Sequence, residues 1–353
     1  MMTSQASLAT RKPDSRFQPI VVREPFAAGV SRQDDGAPRQ SGQSVHAVDG
    51  GADGLPARPG SVVLTAGVTQ PARASGEFAI GGDLPVVRLG FGSMQLPGPG
   101  VWGEPPDYDE VIRVLRRAVE LGVTFIDTAD SYGPGVSERL IRQALHPYPP
   151  ELVIATKAGL TRPGPGRWAR NGKPEYLKRE AENSLRLLGV EQIKLFQLHR
   201  IDPKVPLADS LGALVQLQAE GKIGHIGLSE VSVPEIGAAR AITPIATVQN
   251  RFNLAERDAE PVLEYCARER IGFIPWFPMA TGRLARPGGP LQLIAEDLAV
   301  TAAQLALAWL LQRSPVLLPI PGTSKVGHLE ENVAAALIHL TRDQLHQLNV
   351  LRA

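Results

Sequence analysis

Among the 353 residues there is one cysteine, Cys266, so no intramolecular disulfide can form and a cysteine-built metal site is disfavoured. Charge of one sign is lacking as well. With 37 Lys and Arg against 36 Asp and Glu, the formal charge is +1, and no global field draws the chain to nucleic acid, a membrane surface or a polyanion. No uninterrupted apolar run approaches the ~18 residues that a spanning helix needs. The opening MMTSQASLATRKPDSRF lacks the apolar core of a secretory signal. These absences predict a soluble, cytoplasmic enzyme whose partner is a small molecule, with no nucleic-acid or membrane partner. They leave the oligomeric state open.

Apolar periodicity is missing from residues 1–76, which are rich in Gly, Ser, Gln, Pro and Ala. Their two apolar runs, PIVV (19–22) and SVVL (61–64), are too short to build a core, so this segment reads as a disordered or non-core extension. Residues 77–353 read as one α/β domain. FAI-GGD-LPVV (78–87) predicts a β-hairpin turned by glycines. Eight short apolar runs then alternate with amphipathic stretches. The runs are 88–92, 123–127, 152–157, 193–199, 223–229, 245–249, 271–277 and 316–320. DEVIRVLRRAVEL (109–121) is representative of the helices, with Val111, Leu115, Ala118 and Leu121 on one face. Eight strand–helix units fit an open doubly wound sheet or a closed (β/α)8 barrel. The length from Phe78 is near the ~250 residues typical of the barrel. No G-x-G-x-x-G follows an early strand, which removes the best support for the open sheet. The barrel is the expected fold.

Barrel enzymes build their sites at the C-terminal strand ends. Those ends hold Asp127, Lys157, His199, Ser229, Gln249 and Trp276, followed by the glycine-rich loop Gly322–Lys325. Each residue alone has an ordinary structural explanation; polar or aromatic residues ending six successive strands on one rim define a candidate site. Trp102, after the first strand, and Trp168, within TRPGPGRW after the third, are candidate substrate walls, and packing of loop against barrel is the alternative for both. No histidine or carboxylate cluster has metal-ligand spacing, HLEEN (328–332) included, so no metal is expected.

FIDTADSYG (125–133) resembles the signature of the aldo-keto reductase family, with Asp127 and Tyr132 five positions apart. The strand endings ATK, LH, GLS and VQN and the segment IPGTSKVGHLEEN (320–332) extend the resemblance from about Phe78 to the C-terminus. LHRIDPKVPL and IGLSEVS are similar to a bacterial branch that includes pyridoxal-reductase-like enzymes. The resemblance implies NADPH-dependent reduction of an aldehyde or ketone, with Tyr132 as general acid and Lys157 beside it. Asp127 holds Lys157, and His199 orients the carbonyl. Bringing a phenol from a pKa near 10 to neutrality requires ~4 kcal/mol. One ammonium at about 4 Å, in an effective dielectric near 20, supplies on the order of 4 kcal/mol. Asp127 cancels part of that field, so the expected net shift is smaller.

The resemblance further implies cofactor contacts. Gly92, Ser93 and Met94 lie beneath the nicotinamide ribose, Ser229 and Gln249 hold the carboxamide, and Trp276 stacks on the ring. Glu230 stands where the family has an Asn, so that third carboxamide contact loses its amide donor. The run Phe277, Pro278, Met279, Ala280, Gly282, Arg283 and Leu284 passes the pyrophosphate. Gly322, Thr323, Ser324, Lys325, His328, Glu331 and Asn332 form the adenosine-phosphate segment, with Gly322 and His328 at positions where many relatives carry Lys and Arg. Two other readings remain: a cofactor-binding regulatory subunit with little turnover, and a lyase using Lys157 as a Schiff-base nucleophile.

Overall fold

The computed structural model describes residues 68–279 and 287–351. The expected hairpin is present as antiparallel β1 (Glu77–Ile80) and β2 (Leu84–Val87). The chain continues through β3 (Phe91–Gly92), α1 (Tyr108–Glu120), β4 (Phe125–Asp127), α2 (Val136–Leu145) and β5 (Val153–Ala158). A second hairpin, β6 (Leu160–Gly164) and β7 (Arg167–Arg170), precedes α3 (Pro174–Leu188). Then come β8 (Ile193–Leu198), α4 (Leu207–Ala219), β9 (Ile223–Ser229), α5 (Val233–Arg240), β10 (Thr247–Arg251), α6 (Glu260–Glu269) and β11 (Gly272–Trp276). The last elements are α7 (Pro290–Asp297), α8 (Ala302–Arg313), α9 (Val326–Ala334) and α10 (Arg342–Val350).

The central sheet is parallel, in the order β11-β10-β9-β8-β5-β4-β3. Its two edges meet the same extended segment. Leu317 bridges Phe273 of β11, while Gly90 and Gly92 donate backbone hydrogen bonds to Pro319 and Pro321 at 2.9 and 3.2 Å. The sheet therefore curls into a barrel whose eighth member, 316–320, is extended chain rather than a regular strand. Pro319 has no N–H to give to a ladder, so the sequence reading of a full strand there fails for a simple chemical reason. The first strand is likewise shorter than the expected 88–92. At this seam the backbones are nearly in contact: a Cβ on Gly92 would stand 2.6 Å from the Ile320 carbonyl oxygen, and one on Gly322 2.5 Å from that of Gly92. Only glycine permits that approach.

Two apolar layers hold the barrel. Outside, the buried faces of the helices pack on the strands, as Val111, Val114, Leu115 and Ala118 of α1 do. That helix begins where the Asp107 carboxylate accepts from the Glu110 N–H at 3.1 Å, an N-cap with acidic residues in the first turn. Inside, Phe125, Val153, Ala155, Leu195, Ile274, Leu318 and Ile320 fill the ring, and Ile80 and Val86 of the hairpin join them. The hairpin plugs the interior, leaving the opposite rim for chemistry.

The packed chain starts earlier than residue 77. Pro71–Ser75 forms a 3-10 turn with Ala72 fully buried. The Ala72 N–H donates to Leu121 O at 3.1 Å, the Ser75 hydroxyl accepts from the Leu89 N–H at 3.0 Å, and Arg88 donates to Ser75 O at 3.1 Å. PARAS thus packs on the domain although it lies before residue 77, docking through small residues and hydrogen bonds without any apolar period. The expectation of disorder for 1–67 lies outside the described residues. Among the described residues no single helix is long and apolar enough to cross a membrane.

Candidate active site

β4 and β5 are hydrogen-bonded neighbours, which brings Asp127 and Lys157 side by side at the rim. Lys157 is fully buried and donates to Asp127 Oδ1 at 2.6 Å and to Thr128 O at 2.7 Å. Its ammonium stands 3.5 Å from the Tyr132 hydroxyl, at the limit of a hydrogen bond. Asp127 Oδ2 accepts from Gln197 Nε2 and Gln249 Nε2, each at 3.0 Å. Both carboxylate oxygens are therefore satisfied, as a charge this deeply buried requires. Burial opposes the Lys157 charge, but the Asp127 carboxylate and the phenol outweigh it and hold the ammonium above its ordinary pKa.

The Tyr132 ring meets His199 edge to face at 6.0 Å and Trp168 at 6.3 Å, and Trp168 meets His199 at 6.4 Å. Tyr132, Lys157, His199 and Asp127 thus converge in one buried patch beneath Trp168. Burial raises the phenol's pKa, and Asp127 adds to that; Lys157 pulls it down without overcoming them. This is the reverse of the net lowering expected from the ammonium set against its carboxylate. That expectation left out the desolvation of the phenolate. His199 is held well below its ordinary value by burial, then by Lys157, Arg200 and Arg162, so its imidazole is neutral at pH 7. The Ser131 hydroxyl lies 3.4 Å from His199 Nδ1.

The residues expected at the cofactor divide into several groups. Ser229 Oγ accepts from Arg200 at 2.8 Å, and Gln249 is turned with its NH2 on Asp127. Glu230, at φ +55°, accepts from the Trp276 indole N–H at 2.5 Å and from the Arg251 N–H at 2.8 Å, so it steadies Trp276. Trp276 is half-buried and meets exposed Phe277 at 5.2 Å; Pro278 is buried and Met279 half-buried. Ala280, Gly282, Arg283 and Leu284 lie outside the described residues. Ser93, buried beside Gly92, accepts a hydrogen bond from Ser137 at 2.8 Å. Met94, Ser324 and Lys325 line one cavity of about 360 Å³, together with the 97–101 loop and Asp107. Gly322 packs on Gly92, and Thr323 Oγ1 accepts from the Lys325 N–H at 3.1 Å.

On α9 the rest of that segment points elsewhere. His328 is exposed, Asn332 is buried, and Glu331 accepts from the Thr301 hydroxyl at 2.7 Å. The start of α9 already faces negative groups: the Val326 N–H donates to Glu110 Oε1 at 3.0 Å, and the Lys325 ammonium lies 3.5 Å from Asp107. Both aromatic candidates reach the mouth. Trp168 touches the catalytic patch directly, and Trp102 bridges to Gly133, next to Tyr132. Among the described residues no group of three His, Cys, Asp or Glu is placed to hold a metal ion.

The sequence reading missed Gln197, Thr128, Ser131, Arg162 and Arg200. Gln197 was recoverable, since it lies two residues before His199 and shares its inward face. The others act through loop contacts that no local pattern encodes. Also missed were two carboxylates packed behind the Tyr132 loop. Asp130 accepts from Tyr176 OH at 2.9 Å, and Glu138 accepts from Thr156 Oγ1 at 2.6 Å.

A parallel barrel with a Lys–Asp–Tyr–His constellation at its rim defines a class of oxidoreductase-like sites, and sequence comparison gives that class a family. The chain belongs to the aldo/keto reductase family, whose model matches residues 88–353. It is 53% identical over 268 residues to an uncharacterized oxidoreductase of Schizosaccharomyces pombe, covering 76% of this chain and 87% of that one. It is 41% identical over 282 residues to pyridoxine 4-dehydrogenase of Escherichia coli, covering 78% and 98%. A crystal structure of an aldo-keto reductase from Klebsiella pneumoniae in complex with NADPH superposes with a TM-score of 0.66 at 27% identity, covering 80% of this chain and 94% of that one.

Proposed function

We propose that this chain reduces the carbonyl of an aldehyde or ketone to the alcohol, using NADPH, on a (β/α)8 barrel frame. The observation behind this reading is the placement of a buried phenol 3.5 Å from a buried, ion-paired ammonium, with a neutral imidazole edge-on to it. The rim residues fit a nicotinamide at its carboxamide end. The amide oxygen of Gln249 and the hydroxyl of Ser229 offer an acceptor and a donor, and the NADPH-bound relative supports the dinucleotide. When bound, that group supplies the hydride; all else falls to the protein. His199 donates a hydrogen bond to the carbonyl oxygen and orients it, with the Ser131 hydroxyl 3.4 Å from Nδ1 on the other side of the ring. Tyr132 gives its proton to the oxygen as negative charge develops there. Lys157 stabilises the phenolate left behind, and Asp127 keeps Lys157 charged and pointed. Trp168 and the 97–103 loop exclude water from the proton transfer.

The same geometry weighs against a Schiff-base lyase. An ammonium ion-paired at 2.6 Å and raised above its ordinary pKa is a poor nucleophile. The test is steady-state NADPH oxidation with a panel of aldehydes and ketones. Turnover that is lost in Tyr132→Phe supports the proposal. Absence of turnover with every carbonyl, alongside tight NADPH binding, overturns it in favour of a regulatory subunit.

A further inference from the structure

Behind the turn that carries Tyr132 lie the buried side-chain atoms that have no hydrogen-bond partner among the described residues: Asp130 Oδ1, Glu138 Oε2 and Ser184 Oγ. Ser184, on α3, stands beside Glu138, on α2. Asp127, earlier on the same stretch, shows what an ionised carboxylate needs at this depth: Lys157, Gln197 and Gln249 all donate to its two oxygens. Asp130 has Tyr176 on one oxygen and Glu138 has Thr156 on one, and among the described residues neither carboxyl forms an ion pair. The charged groups around them are Glu180 on α3, which pairs with Arg179 over the Tyr176 ring, and Lys157 on β5, which is committed to Asp127. A buried carboxyl with a bare oxygen and no cation of its own is a neutral acid. Burial raises Asp130 well above its ordinary range, Glu138 and Glu180 add to this, and Tyr176 and Ser131 oppose it.

Asp130 is also where the turn is fastened. Its N–H donates to Lys157 O at 3.0 Å, and its carbonyl accepts from the Gly135 N–H at 2.8 Å, closing the loop around Tyr132. The Tyr176 hydroxyl that donates to Asp130 Oδ2 at 2.9 Å also donates to Leu160 O at 3.1 Å, just beyond Lys157 in the chain. Tyr176 thus joins the Tyr132 turn to the strand end that carries Lys157. A phenol has one proton, shared here between two acceptors. An ionised Asp130 would draw that proton to itself, because a hydrogen bond to a charged acceptor is roughly twice as strong as one to a neutral acceptor. Leu160 O would then lose this donor, and the tie beside Lys157 would go with it.

We propose that Asp130, kept as a neutral acid, is a positioning residue for the reduction: through Tyr176 it holds the turn of Tyr132 against the strand end of Lys157, and its ionisation releases that tie. This rests on the carbonyl-reductase reading above. The Tyr132 hydroxyl and the Lys157 ammonium meet at 3.5 Å. A misplacement of about 1 Å in such a pair costs on the order of 100-fold in rate. Tyr132 and Lys157 are held above their ordinary pKa values and His199 well below its own, so none of them loses a proton between about pH 6.5 and 9.5.

The experiment follows single-turnover NADPH oxidation with saturating 4-nitrobenzaldehyde, or the fastest carbonyl of the panel, from about pH 6.5 to 9.5. Glu138→Gln serves as the parent, because it leaves Asp130 to titrate alone rather than as one of a coupled pair. In that parent the rate should fall by at least about tenfold as pH rises. Adding Asp130→Asn, neutral at every pH and still an acceptor for Tyr176, should keep the rate at pH 6.5 within about threefold and abolish the fall. Adding Asp130→Ala or Tyr176→Phe should instead lower the rate by at least about tenfold at every pH, with NADPH affinity by fluorescence within about twofold. A flat profile in the parent, an alkaline fall that survives Asp130→Asn, or equal rates for Asp130→Asn and Asp130→Ala each overturn the inference. Should the Asp130 variants not fold, Tyr176→Phe decides: a rate within about twofold of the parent at pH 6.5 refutes the tie. A wild type that reduces no carbonyl sinks the underlying reading instead.

Discussion

Glu138 offers a test of the fold's electrostatics that is separate from turnover. It lies fully buried on α2, behind the loop that bears Tyr132. Thr156 donates to one oxygen; the other has no hydrogen-bond partner among the described residues. Burial is the main cause that pushes its carboxyl from 4.5 up to about 7, with Glu180 adding and Thr156, Ser184 and Lys157 opposing. Asp130, which faces it, is driven well above its ordinary value by burial and by Glu138 itself. Below pH 4.5 both folded and unfolded chains hold the Glu138 proton. Between 4.5 and 7 the unfolded chain loses it first, so stability declines as pH rises and the loss is complete above 7. A shift of that size corresponds to ~3 kcal/mol. Glu138→Gln is neutral at every pH and keeps an oxygen for Thr156. The variant should match wild type near pH 5 and exceed it at pH 8 by up to ~3 kcal/mol, on the order of 5–10 °C in Tm. Thermal and urea unfolding of both proteins at half-unit steps from pH 5 to 8 measure this. A difference that does not change with pH, or that favours wild type more as pH rises, refutes the assignment of a buried, proton-holding Glu138.

Tyr132→Phe should lower kcat by at least about 100-fold, the lower range for a lost general acid, while fluorescence titration finds NADPH affinity within about twofold of wild type. Deleting residues 1–67 should leave Tm unchanged, whereas deleting 1–76 removes Pro71–Ser75 with its buried Ala72 and should lower Tm by several degrees; melting curves on the two truncations separate the effects. Glu110→Gln takes a carboxylate away from the Val326 N–H at the start of α9, and should lower KM for NADPH more than for NADH if the 2′-phosphate lies there. His328→Arg, by KM measurements with both dinucleotides, should lower KM for NADPH more than for NADH, because arginine brings a permanent charge and a forked donor to that turn.

Legibility in the sequence followed the range of the interactions involved. The convergence of the four proposed catalytic residues was readable because barrel strands deliver their C-terminal residues to one rim, so strand endings alone brought Asp127, Lys157 and His199 together. The plugging hairpin was readable from its glycines. What escaped notice depends on contacts between distant stretches: the PARAS turn docked by its backbone, Arg162 joining three loops, Arg200 on Ser229, and the β6–β7 hairpin, whose Pro163 and Pro165 argue against strand locally. The seam at 316–320 was misjudged in the other direction. Its apolar letters suggest a strand, but its proline removes an N–H that a ladder would use.

The raised phenol at Tyr132 bears on how the site divides its labour. A tyrosine brought near neutrality would lose its proton within the assay range, and reduction would fade as pH rose. With burial outweighing Lys157, the Tyr132 phenol stays protonated throughout, and neutral His199 keeps its donor over the same range. On the proposed function the ammonium acts less by acidifying the resting phenol than by stabilising the phenolate once the proton has moved, when an unpaired anion in that pocket would otherwise be costly. The same proposal gives Asp127 its part. A lone buried ammonium would shed its proton, and the Asp127 carboxylate, itself held by Gln197 and Gln249, keeps the charge in place for the instant when Tyr132 requires it.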